Sequence, residues 1–268
     1  MFKQNFGWIP DYPDYRDYSE KNEEIEKIIP KMKGIQTKTD LRKYCSPVED
    51  QGEIGSCTAH AIESVVEYYE NKMSGRYVPL SRLFLYKVTR KLLGFDGDYG
   101  AFLRSTIGAM RLFGSPPEEF YPYNEYLYDE DPSPFAYALA GNYKTLQYFK
   151  HDLPGIKPQD VLDSIIKNLS VGIPSAFGFT VYNSIDYVGS DGMIPFPTKY
   201  DRIVGGHAIA TFGHDNTRGA LLIKNSWGKD WGDGGYGWLP YEYVLEGLAR
   251  DWWSIIKQDW IEIENFIQ

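Results

Sequence analysis

Apolar positions follow two different periods along the chain. From Cys57 onward Ile62, Val65, Val66 and Tyr69 recur at helical spacing, with Ser56 placed to cap the first turn. A second helix is predicted over 80–91 and a third over about 101–113, where Phe102, Leu103, Ile107, Met110 and Leu112 offer packing side chains. Gly114 suits a helix stop, and Pro116-Pro117 bars continuation. Residues 116–160 read as loop, and a further helix is predicted over 158–169. The pattern then switches. Ile173 to Tyr182, Ala208 to Phe212, Ala220 to Asn225 and Gly235 to Leu239 read as strands between Gly and Asp turns. Trp252 to Ile256 and Trp260 to Phe266 add one or two more. The expected class is α+β, with a helical lobe over about 50–150 and an antiparallel, partly barrel-like lobe over 151–268.

Residues 1–40 carry neither period and read as a leader distinct from a catalytic domain over 41–268. Pro10 and Pro13 prevent a long helix. A short one within 18–29 presents Ile25, Ile28 and Ile29 on one face, and Lys31 to Asp40 is polar and linker-like. The rings of Trp8, Tyr12 and Tyr15 require a surface to pack on, which argues against free disorder.

The balance of 43% apolar and 24% charged residues is that of a globular protein, and the 22 Tyr and 7 Trp suit a core or a peptide-binding cleft. A net charge of -9 without a basic run disfavours nucleic acid. Nothing approaches a membrane-spanning run, and Met1 to Ile9 lack a signal-peptide core, so a soluble chain is expected, cytoplasmic or exported by an uncommon route. Cys45 and Cys57 are too few for a disulfide framework. No metal or cofactor is expected. Two cysteines and scattered histidines do not match a closed zinc site, Asp96, Asp98, Asp230 and Asp233 lack a calcium-loop pattern, and no Walker lysine follows the glycines.

Chemistry concentrates around Cys57, at the start of a predicted helix whose N–H groups favour an anion. Lowering a thiol pKa from about 8.5 to roughly 4 takes about 6 kcal/mol, and a helix dipole supplies at most ~2. A histidine must provide much of the rest. His60 sits on the same helix, His151 begins a loop, and His214 lies in a turn expected to be exposed. His207 follows Gly205 and Gly206, which admit close backbone approach, and leads into an apolar strand. Asn225 ends another apolar run, and its amide oxygen can orient an imidazole without adding charge, with Trp227 as a shield. Gln51, together with the Cys57 N–H, offers donors to a developing oxyanion.

These residues resemble the papain-like cysteine peptidases. The spacing Gln51-Gly52-Glu53-Ile54-Gly55-Ser56-Cys57, then Gly206-His207-Ala208, then Lys224-Asn225-Ser226-Trp227-Gly228, with Tyr121-Pro122-Tyr123 between, carries the resemblance over roughly 41–250. It implies a V-shaped cleft between two lobes, with Cys57 as nucleophile, His207 as base and acid, Asn225 as orienter and Gln51 as oxyanion donor. It also implies that Asp98, Tyr99 and Gly100 run beside the substrate backbone and that Ala176, Phe177, Gly205 and Ala208 surround the substrate, with Gly206 widening the second subsite. Thr58 and Ile54 depart from the secreted members' pattern. Gly7-Trp8-Ile9-Pro10-Asp11 resembles the leader of the xylellain-like bacterial group, which implies a contact between residues 1–40 and the cleft. The expected form is a monomer acting on peptide or protein substrates. A narrower peptide amidase or aminopeptidase, or a catalytically silent peptide-binding domain, are the alternatives.

Overall fold

The computed structural model describes residues 6–31, 34–143 and 147–256. Its elements in chain order are α1 (Glu23–Ile28), β1 (Lys38–Asp40), α2 (Cys57–Ser74), α3 (Arg82–Leu93), α4 (Leu103–Phe113), α5 (Pro134–Ala140), β2 (Gln147–Lys150), α6 (Pro158–Ser170), β3 (Ser175–Tyr182), β4 (Ile203–Asp215), β5 (Ala220–Lys224), β6 (Tyr236–Pro240), α7 (Glu242–Leu245) and β7 (Ala249–Ile256).

Helix α2 starts at the cysteine, as its apolar period requires, but Ser56 does not cap it with its side chain. The Ser56 hydroxyl instead meets the Tyr123 hydroxyl at 2.7 Å, and that hydroxyl donates to the Gln51 carbonyl at 2.8 Å. The Tyr-Pro-Tyr segment thereby fixes the loop from Gln51 to the helix start. Ser81 does cap α3, accepting from the Phe84 N–H at 3.2 Å. Gly94 closes α3 in the left-handed region, and Gly114 ends α4. Leu112 faces outward and is 56% exposed, so it does not join the packing face. Helix α2 is buried on several sides over its first thirteen residues. Even Glu63 and Glu67 are enclosed, and the buried Arg82 answers them, with its guanidinium 2.7 Å from Glu67 and 3.9 Å from Glu63.

The strands form one sheet in the order β2-β7-β3-β4-β5-β6, with β1 added to β4. Among the described residues its path does not close, so the partly barrel-like lobe is an open, bulged antiparallel sheet. Bulges between Val181 and Tyr182, Ala176 and Gly178, and Thr211 and Gly213 interrupt the registers. Two principal clusters make the core. One gathers α2, α3 and α4 with one side of the sheet, and the other gathers α6, Phe177, Phe179, Ile223, Trp227, Trp231 and Trp252. The stretch Lys31 to Asp40 is not all linker, because Lys38 to Asp40 pair with Asp215 to Gly213. β2, α5 and α7 were not legible as elements, being four to seven residues long. The strand expected over Trp260 to Phe266 lies outside the described residues. Among the described residues no helix is long and apolar enough to cross a membrane.

Candidate active site

Strand β4 crosses the N-terminus of α2, and this crossing brings the chemistry together. The Ala208 N–H lies 3.4 Å from the Cys57 sulfur, which puts the thiol against the residue next to His207. His207 Nε2 lies 2.8 Å from Asn225 Oδ1, and the same oxygen accepts the Ser226 N–H at 2.8 Å. An oxygen acceptor at Nε2 puts the imidazole proton there and leaves the lone pair on Nδ1. Nδ1 is buried and has no hydrogen-bond partner among the described residues. The Trp227 ring stacks on the imidazole with centroids 4.5 Å apart and planes at 24°. Gln51 is fully buried. Its side-chain Oε1 accepts from the Ser226 hydroxyl at 2.6 Å, and its NH2 group donates to the Ile54 carbonyl at 2.9 Å.

Over this site passes the chain's own amino-terminal segment. The Trp8 N–H donates to the Gly206 carbonyl at 3.1 Å, the Ala101 N–H to the Gly7 carbonyl at 2.8 Å, and the Ile9 N–H to the Ala101 carbonyl at 3.1 Å. Trp8 therefore pairs with Ala101 in the parallel sense. Phe6 sets its ring edge-to-face on His207 and Trp227, with centroids at 6.5 and 6.2 Å. The approach is possible because the walls are glycine. An added Cβ at Gly55 would stand 3.2 Å from Gly7 Cα, and one at Gly100 would stand 2.0 Å from the Gly7 carbonyl oxygen. Farther along, Arg104 binds Asp17 through both oxygens, at 2.9 and 2.6 Å, the Tyr18 carbonyl accepts from the Lys150 N–H, and Ile25 packs on Phe149 and Ile256.

Enclosure sets the protonation. Burial pushes the Cys57 thiol up to about 11, against the pull of N–H groups from Ala208, Gly7 and Thr58. Burial likewise pushes His207 down to about 4, with the bond to Asn225 opposing. Both shifts run opposite to the low thiol pKa expected from the helix terminus and a cationic histidine, because the segment desolvates the cleft.

The other residues singled out from the sequence divide. Gly205 and Gly206 border the segment, with added Cβ atoms 2.4 Å from Phe6 and 2.8 Å from Trp8. Gly100 borders Gly7, and Ala176 and Ala208 belong to the cluster that includes Trp8. Asp98 anchors the loop, accepting the Gly55 N–H at 2.9 Å and the Tyr86 hydroxyl, while Tyr99 is 70% exposed. Phe177 does not face the cleft. It stacks on Trp252 at 3.7 Å inside the second cluster, since alternate residues of β3 point to opposite faces. His214 is not in an exposed turn; it is buried in β4 between Thr39 and Asn216. His60 is buried against the Ser56 carbonyl and His151 between Ser164 and Ser254, and burial holds them down at about 3 and about 4. Gly178, Ala101 and Asp251 were missed. A glycine within the apolar run of β3 was the available signal of close approach for Gly178.

A family model described as papain family cysteine protease matches residues 35–246. The chain is 34% identical over 248 residues to an uncharacterized peptidase C1-like protein of Acanthamoeba polyphaga mimivirus, covering 88% of this chain and 79% of that relative. Among solved structures it is similar to xylellain, a cysteine protease from Xylella fastidiosa, with 35% identity, a TM-score of 0.80, and coverage of 95% of this chain and 97% of that one. Digestive procathepsin L 3 of Tenebrio molitor larval midgut shares the fold at a TM-score of 0.64 and 21% identity, over 86% of this chain and 72% of that one.

Proposed function

The chain belongs to the papain family of cysteine proteases and is a cysteine peptidase, and from that premise we propose how it cuts and how it is held back. Cys57 is the nucleophile. His207 takes the thiol proton at Nδ1, the nitrogen left by the bond from Nε2 to Asn225. The sulfur attacks the peptide carbonyl, and the Cys57 N–H and the Gln51 amide receive the oxyanion. His207 then protonates the departing amine, leaving a thioester, and activates the water that frees the acid. The single observation that carries this reading is the contact between Cys57 and Ala208 beside an imidazole already fixed by Asn225 and Trp227. The proposed division is a leader of residues 1–40 and a catalytic domain from 41.

Residues 6–9 act as an internal plug. The leaving amine must sit beside the imidazole that protonates it, so the leaving side of the cleft is where Phe6 touches His207 and Trp227. The acyl side then extends toward Trp8. A substrate enters with its earlier residues at the Trp8 position, whereas the plug runs the other way. A reversed backbone presents no carbonyl in the attacking geometry, so the segment can occupy the site without being a substrate. Cleavage of amine-blocked peptides by the Trp8→Ala chain, lost when Cys57→Ala is added, tests the endopeptidase reading; turnover of free-amine peptides alone would overturn it.

A further inference from the structure

The plug's indole occupies a space built from absences. A Cβ on Gly178 would lie 1.9 Å from Trp8 Cε2, and one on Gly206 would lie 2.8 Å from Trp8 Cε3. An ordinary residue at either position would close the cavity to a bicyclic ring. At its end stands Asp251, 4% exposed, whose Oδ2 accepts the indole N–H at 3.2 Å. Asp251 is the one non-glycine residue with a positive φ among those described, at 57°. Its N–H donates to Asp152 at 2.7 Å, which holds it in that uncommon conformation. Its other oxygen is bound by the buried Lys150 ammonium at 2.9 Å.

We propose that Asp251 is a specificity-determining residue, selecting peptides that carry tryptophan immediately before the residue whose carbonyl Cys57 attacks. The inference rests on the cleft polarity proposed above. When the leader withdraws, Asp251 Oδ2 loses both of its leader donors, the Trp8 indole and the Asp11 N–H. An incoming indole restores one of them and fills the glycine-walled space. Phenylalanine fills the space in part and leaves Oδ2 without a donor, which is the situation that buried polar groups penalise most. Arginine is disfavoured because Lys150 already supplies the cation.

The test uses the full-length Trp8→Ala chain, in which the pocket is vacated, and four blocked peptides that differ only at this position. They carry tryptophan, benzothienylalanine (sulfur in place of the ring N–H, nearly the same shape), phenylalanine or arginine. The expected kcat/KM favours tryptophan over benzothienylalanine by roughly tenfold. Adding Asp251→Gly with Lys150→Met, which suits the backbone and removes the Asp251–Lys150 ion pair, brings that ratio to near one while the benzothienylalanine peptide is still cut. Adding Asp251→Asn, which keeps a carbonyl acceptor, retains a preference for tryptophan. Equal rates for the two bicyclic peptides, an unchanged ratio in the double variant, or a preference for arginine would overturn the inference. The same peptides are titrated onto Trp8→Ala carrying Cys57→Ala. Tryptophan-selective binding without hydrolysis in the active-cysteine chain would count against the proposed function, and hydrolysis without selectivity would count against Asp251.

Discussion

Replacing Trp8 with alanine tests whether the plug governs access to the thiol. The Trp8 side chain is almost wholly enclosed, with 7% of the residue exposed. Burial of about 200 Å² at ~25 cal/mol per Å² gives an upper figure of about 5 kcal/mol. Truncating a buried tryptophan costs about 3–5 kcal/mol. The backbone bonds to Gly206 and Ala101 survive the change, as do the anchors of Asp17 on Arg104 and of the Tyr18 carbonyl on the Lys150 backbone N–H. The loss therefore falls on the local opening of residues 6–9 rather than on the whole fold. Taking the lower end, about 3 kcal/mol, the open fraction rises by roughly 100-fold. The assay is the rate of Cys57 alkylation by a neutral thiol reagent, read by peptide mapping, with circular dichroism to show an intact fold. A folded variant whose Cys57 reacts within twofold of the parent rate would refute the plug.

Three further outcomes follow from the same geometry. Gln51→Ala should lower kcat by about 10²–10³-fold with little change in KM, as loss of an oxyanion donor does; a rise in KM alone would reassign Gln51 to binding. Gly178→Ala should expel the indole, because the new Cβ has no room beside Trp8, so alkylation of Cys57 should quicken although the substitution touches neither the thiol nor His207. The docked leader should also respond to pH through Asp11. Burial, with Asp251 adding to it, raises its carboxyl from 3.8 to about 6, against Arg104, Trp253 and Lys150. The docked form thus holds a proton that the released form has already lost. Docking should weaken as pH rises from about 4 to about 6 and level off above that, and Asp11→Asn should flatten the pH profile of the alkylation rate. A leader that loosens on acidification would contradict that sign.

The reacting groups were legible because each is announced locally. Cys57 opens an apolar helix, two glycines precede His207 on its strand, and Asn225 ends an apolar run. These are features of neighbouring residues. What escaped depends on residues far apart in the chain. Asp251 meets Trp8 across 243 positions, and nothing around either residue names the other. The need of the Trp8 ring for a surface could be read, but not which surface, and Tyr12 and Tyr15, expected to pack as well, stay exposed. His214 was misread because Gly213 and Asp215 suggest a turn, whereas pairing with Thr39 on one side and Leu221 on the other carries β4 straight through it. Phe177 was misassigned by one step of strand alternation, a slip that moves a side chain from cleft to core.

The central claim is that peptide hydrolysis proceeds through Cys57 and that residues 6–9 cover it. Titrating the Trp8→Ala chain with an irreversible peptide epoxide, while following peptidase activity and locating the adduct by mass spectrometry, tests it most directly. One equivalent bound at Cys57 should extinguish activity in step with modification, and the parent chain should label far more slowly. Activity that persists with Cys57 fully modified would contradict the account.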